Sequence, residues 1–216
     1  MFAEIREVLQ DGSSFFRSIG FVFLENMLLE ENLSSLFTLL TVSLPSTTFV
    51  TPKDTGLSKL NIKIINHAET MQKYLLEELV VLAEACIVNF ERKGVEGKYD
   101  NSLLLQNMFN KDKLFDLTVV MLMRTMLYDV AEEKNKRKTQ EFCRDGYSEV
   151  EINREIFELM AMATKAKLSH YKNDEEYLWY NNKGKENIKV VEKKKDEQTS
   201  YSIAYDRRFL ENSYLK

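Results

Sequence analysis

Apolar residues recur at helical spacing directly after a short polar turn near the start of the chain. Residues 11–14, Asp-Gly-Ser-Ser, combine turn-forming residues with a serine suited to the start of a helix. Apolar side chains then follow on one predicted helical face: Ile19, Val22, Phe23 and Met27. Gly20 lies inside this pattern and costs a helix about 1 kcal/mol relative to alanine. We therefore expect another element to pack closely against Gly20.

Further segments carry helical patterns. The longest spans about residues 60–92 and has its apolar residues at Ile64, Ala68, Met71, Leu75, Leu79, Leu82, Cys86 and Phe90. Residues 103–109 predict a short helix, and residues 150–168 predict an amphipathic one. Residues 114–128 are apolar on nearly all sides, which predicts a buried helix.

The pattern changes after about residue 169. Short aromatic or β-branched runs at residues 177–180, 188–191 and 201–205 alternate with polar turns, which is typical of strands. Helices followed by strands predict an α+β fold, mostly helical with a small C-terminal antiparallel sheet. No repeat or boundary divides the sequence, so residues 1–216 are predicted to form a single domain.

Composition and charge argue against nucleic acid as a partner. Hydrophobic residues make up 44% of the chain and charged residues 30%, the balance of a globular protein with a core. The net charge of −4 does not provide the basic surface that a phosphate backbone requires. The basic run at residues 134–138 fits a solvated loop, with a partner-binding patch as the alternative.

Two cysteines and two histidines limit metal and redox chemistry. Cys86 and Cys143 lie among apolar neighbours, which favours core thiols in a reducing compartment. Together with His67 and His170 they lack the spacing of a zinc site, and we expect no metal and no cofactor.

The ends and apolar stretches of the chain bear on location. The first ten residues lack the basic flank and apolar run of a signal peptide, and no apolar stretch is long enough to span a bilayer. We therefore expect no membrane association and a cytoplasmic location, with a nuclear location as the alternative. The oligomeric state has no signal in the sequence.

Residues 11–25 carry a specific motif. Their sequence is D-G-S-S-F-F-R-S-I-G-F-V-F-L-E. It resembles the nucleophile motif D-G-N-C-F-Y-R-A-x-G-F-x-x-L-E of the otubains, which are ubiquitin-specific cysteine proteases of the ovarian-tumour class. The nucleophilic cysteine of that motif corresponds to Ser14.

Further segments resemble the same family in the expected order. Residues 103–110 are similar to its L-L-x-x-F-N element, residues 141–143 match E-F-C, and residues 200–205 resemble the strand H-Y-D-I-L-Y. The stretch from about residue 30 to residue 100 resembles the family poorly. The resemblance implies a papain-like, ovarian-tumour cysteine protease fold.

The resemblance also implies which residues occupy the catalytic positions. Ser14 takes the place of the nucleophile, Ser200 of the base, Ser202 of the orienting acid, and Asp11 of the turn beside the oxyanion hole. A serine nucleophile needs a positioned base, and neither Ser200 nor Ser202 accepts a proton at neutral pH. No histidine follows His170, so the last strands lack a histidine base in any register.

These replacements predict an inactive protein. Triad residues act as a unit, so losing all three removes essentially all peptidase activity. An engineered cysteine-to-serine change explains position 14 alone and leaves the missing histidine unexplained, which favours natural loss.

Several of these residues also have purely structural interpretations. Ser14 fits a helix N-cap, His67 fits a surface or boundary position on a long helix, and His170 fits a loop after the last long helix. One aromatic cluster fits either strand packing or a binding face for a partner's apolar patch: Tyr177, Trp179 and Tyr180.

Three hypotheses for function follow. The favoured one is an otubain-like pseudo-deubiquitinase that binds ubiquitin or a ubiquitin-conjugating enzyme. The second is an active ubiquitin thioesterase whose base lies elsewhere in the chain. The third is a scaffold or interaction protein without ubiquitin binding.

Overall fold

A computed structural model describes residues 4–9, 13–30, 32–50, 68–144, 152–172, 175–179, 187–195 and 198–205. Its helices are α1 (Ser14–Leu29), α2 (Ser34–Thr38), α3 (Leu44–Ser46), α4 (Ala68–Lys93), α5 (Gly97–Lys111), α6 (Lys113–Glu133), α7 (Arg137–Arg144) and α8 (Arg154–Thr164). A π-helical turn, Leu39–Ser43, joins α2 to α3, and a 3-10 turn, Gly94–Glu96, joins α4 to α5. The strands are β1 (Glu4–Glu7), β2 (Lys167–Lys172), β3 (Glu175–Trp179), β4 (Asn187–Lys195) and β5 (Gln198–Tyr205).

Helix α1 forms the centre of the fold. It begins at Ser14, where the sequence predicted a helix start, and 14 of its 16 residues are buried. It packs against α5 and α6 and against the strands β4 and β5. A helix buried on nearly all sides must be apolar nearly all round, and the exceptions among the buried residues of α1 are Ser14, Arg17, Ser18 and Glu25.

Gly20 allows α1 and α6 to approach closely. A Cβ atom added at Gly20 would lie 2.6 Å from Cγ1 of Val119 and 3.1 Å from Cγ of Met123, both on α6. The expectation of a close neighbour at Gly20 is therefore confirmed.

The other helices follow the predicted pattern with shifted ends. Helix α6 is buried along most of its length as expected, and the Asp112 carboxylate caps it by accepting hydrogen bonds from the backbone N–H groups of Leu114 (2.9 Å) and Phe115 (3.1 Å). The predicted helix over residues 150–168 is too long, because α8 ends at Thr164 and Lys165 takes a left-handed conformation with φ of 54°. Residues 60–67 of the predicted long helix lie outside the described residues. No helix in the described part of the chain has both the length and the apolar character needed to cross a membrane.

The sheet is mixed: the predicted antiparallel arrangement holds for three of its four strand pairings, whereas β2 and β4 are parallel. Its strand order is β1-β5-β4-β2-β3. Strand β3 pairs with one side of β2, and β4 pairs with the other side of β2 in the parallel direction. The remaining neighbours are antiparallel. Two strands, β1 and β2, had not been predicted.

The contact at Gly20 gives a prediction for stability. Replacing Gly20 by alanine improves helix propensity by about 1 kcal/mol, but it forces a methyl group against Val119. We expect the overpacking to prevail and the variant to lose about 1–3 kcal/mol of unfolding free energy in urea titration.

A double-mutant cycle isolates this contact. Val119→Ala removes the atom that the new methyl group would meet, so the double variant should retain more stability than the sum of the single losses predicts, by at least about 0.5 kcal/mol. Strict additivity would show that the two helices are not in the close contact described here.

Candidate functional site

Ser14 joins the start of α1 to the strand β5. Its Oγ accepts a hydrogen bond from the backbone N–H of Tyr201 at 3.1 Å, across 187 positions of sequence. Strand β1 pairs with β5 only as far as Ser202, opposite Glu7. The backbone amide of Tyr201, the next residue of β5, lies beyond the end of β1 and donates to the Ser14 hydroxyl instead.

The interpretation of Ser14 as a helix N-cap is wrong. The N-cap position belongs to Ser13, which makes no side-chain cap hydrogen bond, and Ser14 is already the first helical residue. The hydroxyl is directed at a neighbouring strand and not at its own helix. Ser14 is 3% exposed, and its burial follows from the packing of α1 against β5 and not from the local sequence.

Ser200 and Ser202 lie on the face of β5 opposite to Tyr201, because side chains alternate along a strand. The Ser200 hydroxyl donates to the backbone carbonyl of Lys193 at 3.3 Å. Ser202 is fully buried, and within the described residues its Oγ has no hydrogen-bond partner.

The structure thus places Ser14 beside the strand that carries Ser200 and Ser202. The Ser14 and Ser200 hydroxyls bond to separate backbone groups, so no proton relay joins them. Asp11 lies outside the described residues.

Aromatic residues of the motif pack around this junction. The ring of Phe15 meets Tyr201 edge-on at 5.3 Å between centroids and Phe157 at 5.1 Å. Phe16 stacks on Phe142 at 5.6 Å, on the α7 side of the helix. These contacts fix the first turn of α1 between β5, α7 and α8.

Charged residues of the motif are paired within the core. Arg17 donates through Nε to Asp116 at 2.6 Å and through a terminal nitrogen to the carbonyl of Leu9 at 2.8 Å, which holds the chain entering the motif. Glu25 is fully buried and accepts a hydrogen bond from the Tyr205 hydroxyl at 2.8 Å. Arg17 and Glu25 therefore have structural roles that need no catalysis.

His170 is a buried residue of β2, so its interpretation as a loop residue is wrong. Its ring stacks on Phe157 at 4.3 Å, and its Nε2 lies 2.9 Å from Oε2 of Glu192 without hydrogen-bond alignment. Lys172 reaches the other oxygen of Glu192 at 2.8 Å. This buried pair was not predicted, although Leu168 and His170, two positions apart, show the period of a strand.

The position of His170 does not suit it to activate Ser14. Its ring lies 6.0 Å from the Tyr201 ring between centroids, but its Nε2 lies beside Glu192, and within the described residues no hydrogen bond joins it to Ser14. Burial lowers the pKa of His170, and the nearby Glu192 carboxylate opposes this effect. His67, the other histidine of the chain, lies outside the described residues.

The two thiols of the chain, Cys86 and Cys143, are not suited to act as nucleophiles. Cys86 and Cys143 are both buried and free of disulfide bonds, as the sequence predicted. Burial raises the pKa of each thiol to about 12, so neither forms a thiolate near neutral pH.

Other features of the predicted chemistry lie apart from Ser14. Among the described residues, no group of three or more histidine, cysteine, aspartate or glutamate side chains is arranged to hold a metal ion. A cavity of about 530 Å³ is bordered by Phe23, Met27, Leu44, Leu122 and Met126, and none of the three site serines lines it. Of the aromatic cluster, Tyr177 is 40% exposed on β3, and Tyr180 lies outside the described residues.

Comparison with models of known protein families finds no matching family. A search of curated proteins finds no match either.

The bond between Ser14 and Tyr201 predicts a structural effect of removing the hydroxyl. Ser14→Ala leaves a buried amide without its partner, so we expect a loss of about 1–3 kcal/mol in unfolding free energy. The control is Ser200→Ala, because that hydroxyl is half-buried and donates to a carbonyl of the neighbouring strand; its effect should stay within about 0.5 kcal/mol. Equal effects of the two substitutions in urea titration would contradict the assignment.

The buried His170 predicts a pH dependence of stability. Its pKa is lower in the folded protein than in the unfolded chain, so the unfolded chain binds the proton more readily. The favourable contribution of neutral His170 is fully present above the unfolded pKa of about 6.5 and is lost as pH falls towards the folded pKa.

We therefore expect the thermal midpoint to fall between pH 7.5 and pH 5.5, and His170→Gln to reduce that slope. His67→Gln serves as the control for loss of a histidine at another position. An unchanged slope in His170→Gln, measured by differential scanning calorimetry, would show that His170 does not carry the effect.

Proposed function

We propose that the chain is an otubain-like protein of the ubiquitin pathway that lacks peptidase activity and binds ubiquitin or a ubiquitin-conjugating enzyme. The observation that carries the proposal is the hydrogen bond between Ser14 and the backbone of Tyr201. It joins the two segments to which the resemblance assigns the nucleophile and the base.

The meeting of these segments is informative because the resemblance did not depend on it. Residues 11–25 and 200–205 were matched to the family separately, and they lie at opposite ends of the sequence. In a working enzyme of this kind, nucleophile and base must lie within hydrogen-bond reach. The contact of α1 with β5 supports the proximity of the two segments that this chemistry requires.

The side chains at these positions support the inactive form of the proposal. Ser14 accepts a backbone hydrogen bond, and the Ser200 hydroxyl donates to a backbone carbonyl. Neither residue removes a proton from the other at neutral pH, because a serine hydroxyl is far too weak a base. A cysteine nucleophile in the family chemistry is activated by an imidazole, and His170 is held two strands away.

The motif residues support the retention of a scaffold. Phe15, Phe16, Arg17 and Glu25 all lie in the core and hold α1 against neighbouring elements. The fold therefore needs these residues whether or not the site is catalytic. This explains how the motif persists around a serine at position 14.

The experiment that tests the proposal combines binding with restored chemistry. Titration of the ¹⁵N-labelled chain with ubiquitin, followed by NMR, should give saturable shifts, and a ubiquitin probe carrying an electrophile should form no stable adduct with the unmodified chain. Adduct formation would establish an active enzyme, and the absence of both shifts and activity would favour an interaction protein without a ubiquitin link.

Substitution at the three serines gives a graded prediction. Ser14→Cys alone should hydrolyse a ubiquitin substrate at background rate, because no imidazole accepts the thiol proton. Adding Ser200→His and Ser202→Asp should raise hydrolysis above the single variant, although weakly, since a misplacement of about 1 Å costs on the order of a hundredfold.

A matched control places the same base on the other face of β5. Ser14→Cys with Thr199→His and Ser202→Asp carries a histidine next to position 200 but on the opposite side of the strand, because side chains alternate. We expect no hydrolysis from this control. Equal activity in the two series would show that position 200 is not the base position.

A further inference from the structure

Helix α4 exposes a second apolar face, against which none of the described elements packs. Its buried face packs inward through Met71, Leu75, Leu79, Leu82 and Cys86. The opposite face exposes four aliphatic, β-branched side chains: Val80 (40%), Val81 (61%), Ile87 (38%) and Val88 (38%). Such residues weaken an isolated helix and expose apolar surface, so their concentration on one face needs an explanation.

These aliphatic residues alternate with acidic ones in a seven-residue repeat. Glu77, Glu84 and Glu91 are exposed and lie seven residues apart, with Val80 and Val81 in the first interval and Ile87 and Val88 in the second. Seven residues make almost two helical turns, so all seven side chains share one face. We call this face, formed by these seven residues, the α4 seam.

The acidic residues of the α4 seam are mostly unneutralised. Glu77 has Lys73 at 3.9 Å, one turn earlier, with both side chains largely exposed. Within the described residues, Glu84 and Glu91 have no ion-pair or hydrogen-bond partner. The α4 seam therefore presents a row of negative charge flanked by aliphatic side chains.

The aliphatic side chains and the glutamates of the α4 seam together determine which kind of partner fits it. The aliphatic pairs Val80–Val81 and Ile87–Val88 recur after seven residues and lie on either side of the glutamates, so a second helix packed along α4 would meet the same pattern in each repeat. A second copy of the same face would set glutamates against glutamates, which is repulsive. A helix with lysine or arginine along its centre line places a cation opposite each glutamate and covers the valines with its flanking apolar residues.

We propose that the α4 seam is a docking site for a basic amphipathic helix of a partner protein. The site goes beyond the proposed function, because it involves a different element from Ser14 and β5 and requires no ubiquitin. Its affinity comes from the aliphatic pairs, and its choice of partner comes from Glu77, Glu84 and Glu91.

The probe is a synthetic helical peptide of about four heptads, with lysine at one position of each heptad and leucine on both flanks. The matched peptide has glutamate in place of every lysine. By fluorescence anisotropy, we expect saturable binding of the lysine peptide in the micromolar range and at least about tenfold weaker binding of the glutamate peptide. Higher ionic strength should weaken the lysine complex, because the charges are exposed.

Two sets of variants test the assignment to α4. Val81→Asp with Val88→Asp should weaken binding of the lysine peptide at least about tenfold. Val42→Asp is the control, because Val42 is 62% exposed, close to the 61% of Val81, but lies in the π-helical turn between α2 and α3. Glu84→Lys with Glu91→Lys should reverse the preference towards the glutamate peptide.

The outcomes distinguish a basic partner helix from the other possible occupants of the α4 seam, a second copy of the chain or another segment of the same chain. Equal binding of both peptides, or equal weakening by Val42→Asp, would overturn the proposal. Self-association in sedimentation that Val81→Asp with Val88→Asp abolishes would assign the seam to a second copy instead. A fall in thermal midpoint well beyond that of Val42→Asp would mean that the chain itself covers the seam, which also overturns the proposal.

Discussion

The burial of α1 on nearly all sides is the constraint on which the rest of the structure depends. A helix with 14 of 16 residues buried loses stability for each polar side chain that it carries into the core without a partner, and its two buried charged residues both have one. Arg17 finds Asp116 on α6 and the carbonyl of Leu9, and Glu25 finds the hydroxyl of Tyr205 on β5. These partners connect α1 to the segment before it, to a helix and to the last described strand.

The same constraint gives Ser14 its role. At the first turn of α1, its hydroxyl continues the hydrogen bonding of β5 where β1 has ended. A hydroxyl at that position stabilises the junction between helix and strand, whereas a catalytic thiol would need a free path to a base. The structural use of Ser14 therefore needs no catalysis, which is consistent with the inactive protein that we propose.

His170 and the α4 seam place charge in two different surroundings. His170 and Glu192 lie inside the sheet layer, where burial opposes the charged imidazole and the carboxylate favours it. The glutamates of the α4 seam face solvent, where their cost is small and their value lies in selecting a partner. Because Ser14 and the seam lie on different helices, the two proposed binding functions can be altered separately by mutation.

The local pattern of residues determined much of the secondary structure. Apolar spacing was sufficient to predict α1, α4, α6 and the strands β3, β4 and β5, because a helix or strand that buries one face must show its own period in the sequence. The glycine inside α1 also predicted a close neighbour, since a helix accepts its cost only where space is short. The ends of elements were less well determined, as the early end of α8 at Thr164 shows.

Strand partners and long-range contacts were decided by the tertiary structure. The short strand β1 has no distinctive pattern of its own and forms because β5 offers it an edge. Strand β2 pairs with β3 on one side and with β4, in parallel, on the other. The pattern of residues along a strand does not determine which neighbour it takes on each side. Ser14 has the sequence of a helix cap, yet its hydroxyl bonds to Tyr201, because only folding brings an amide 187 positions away to within 3.1 Å.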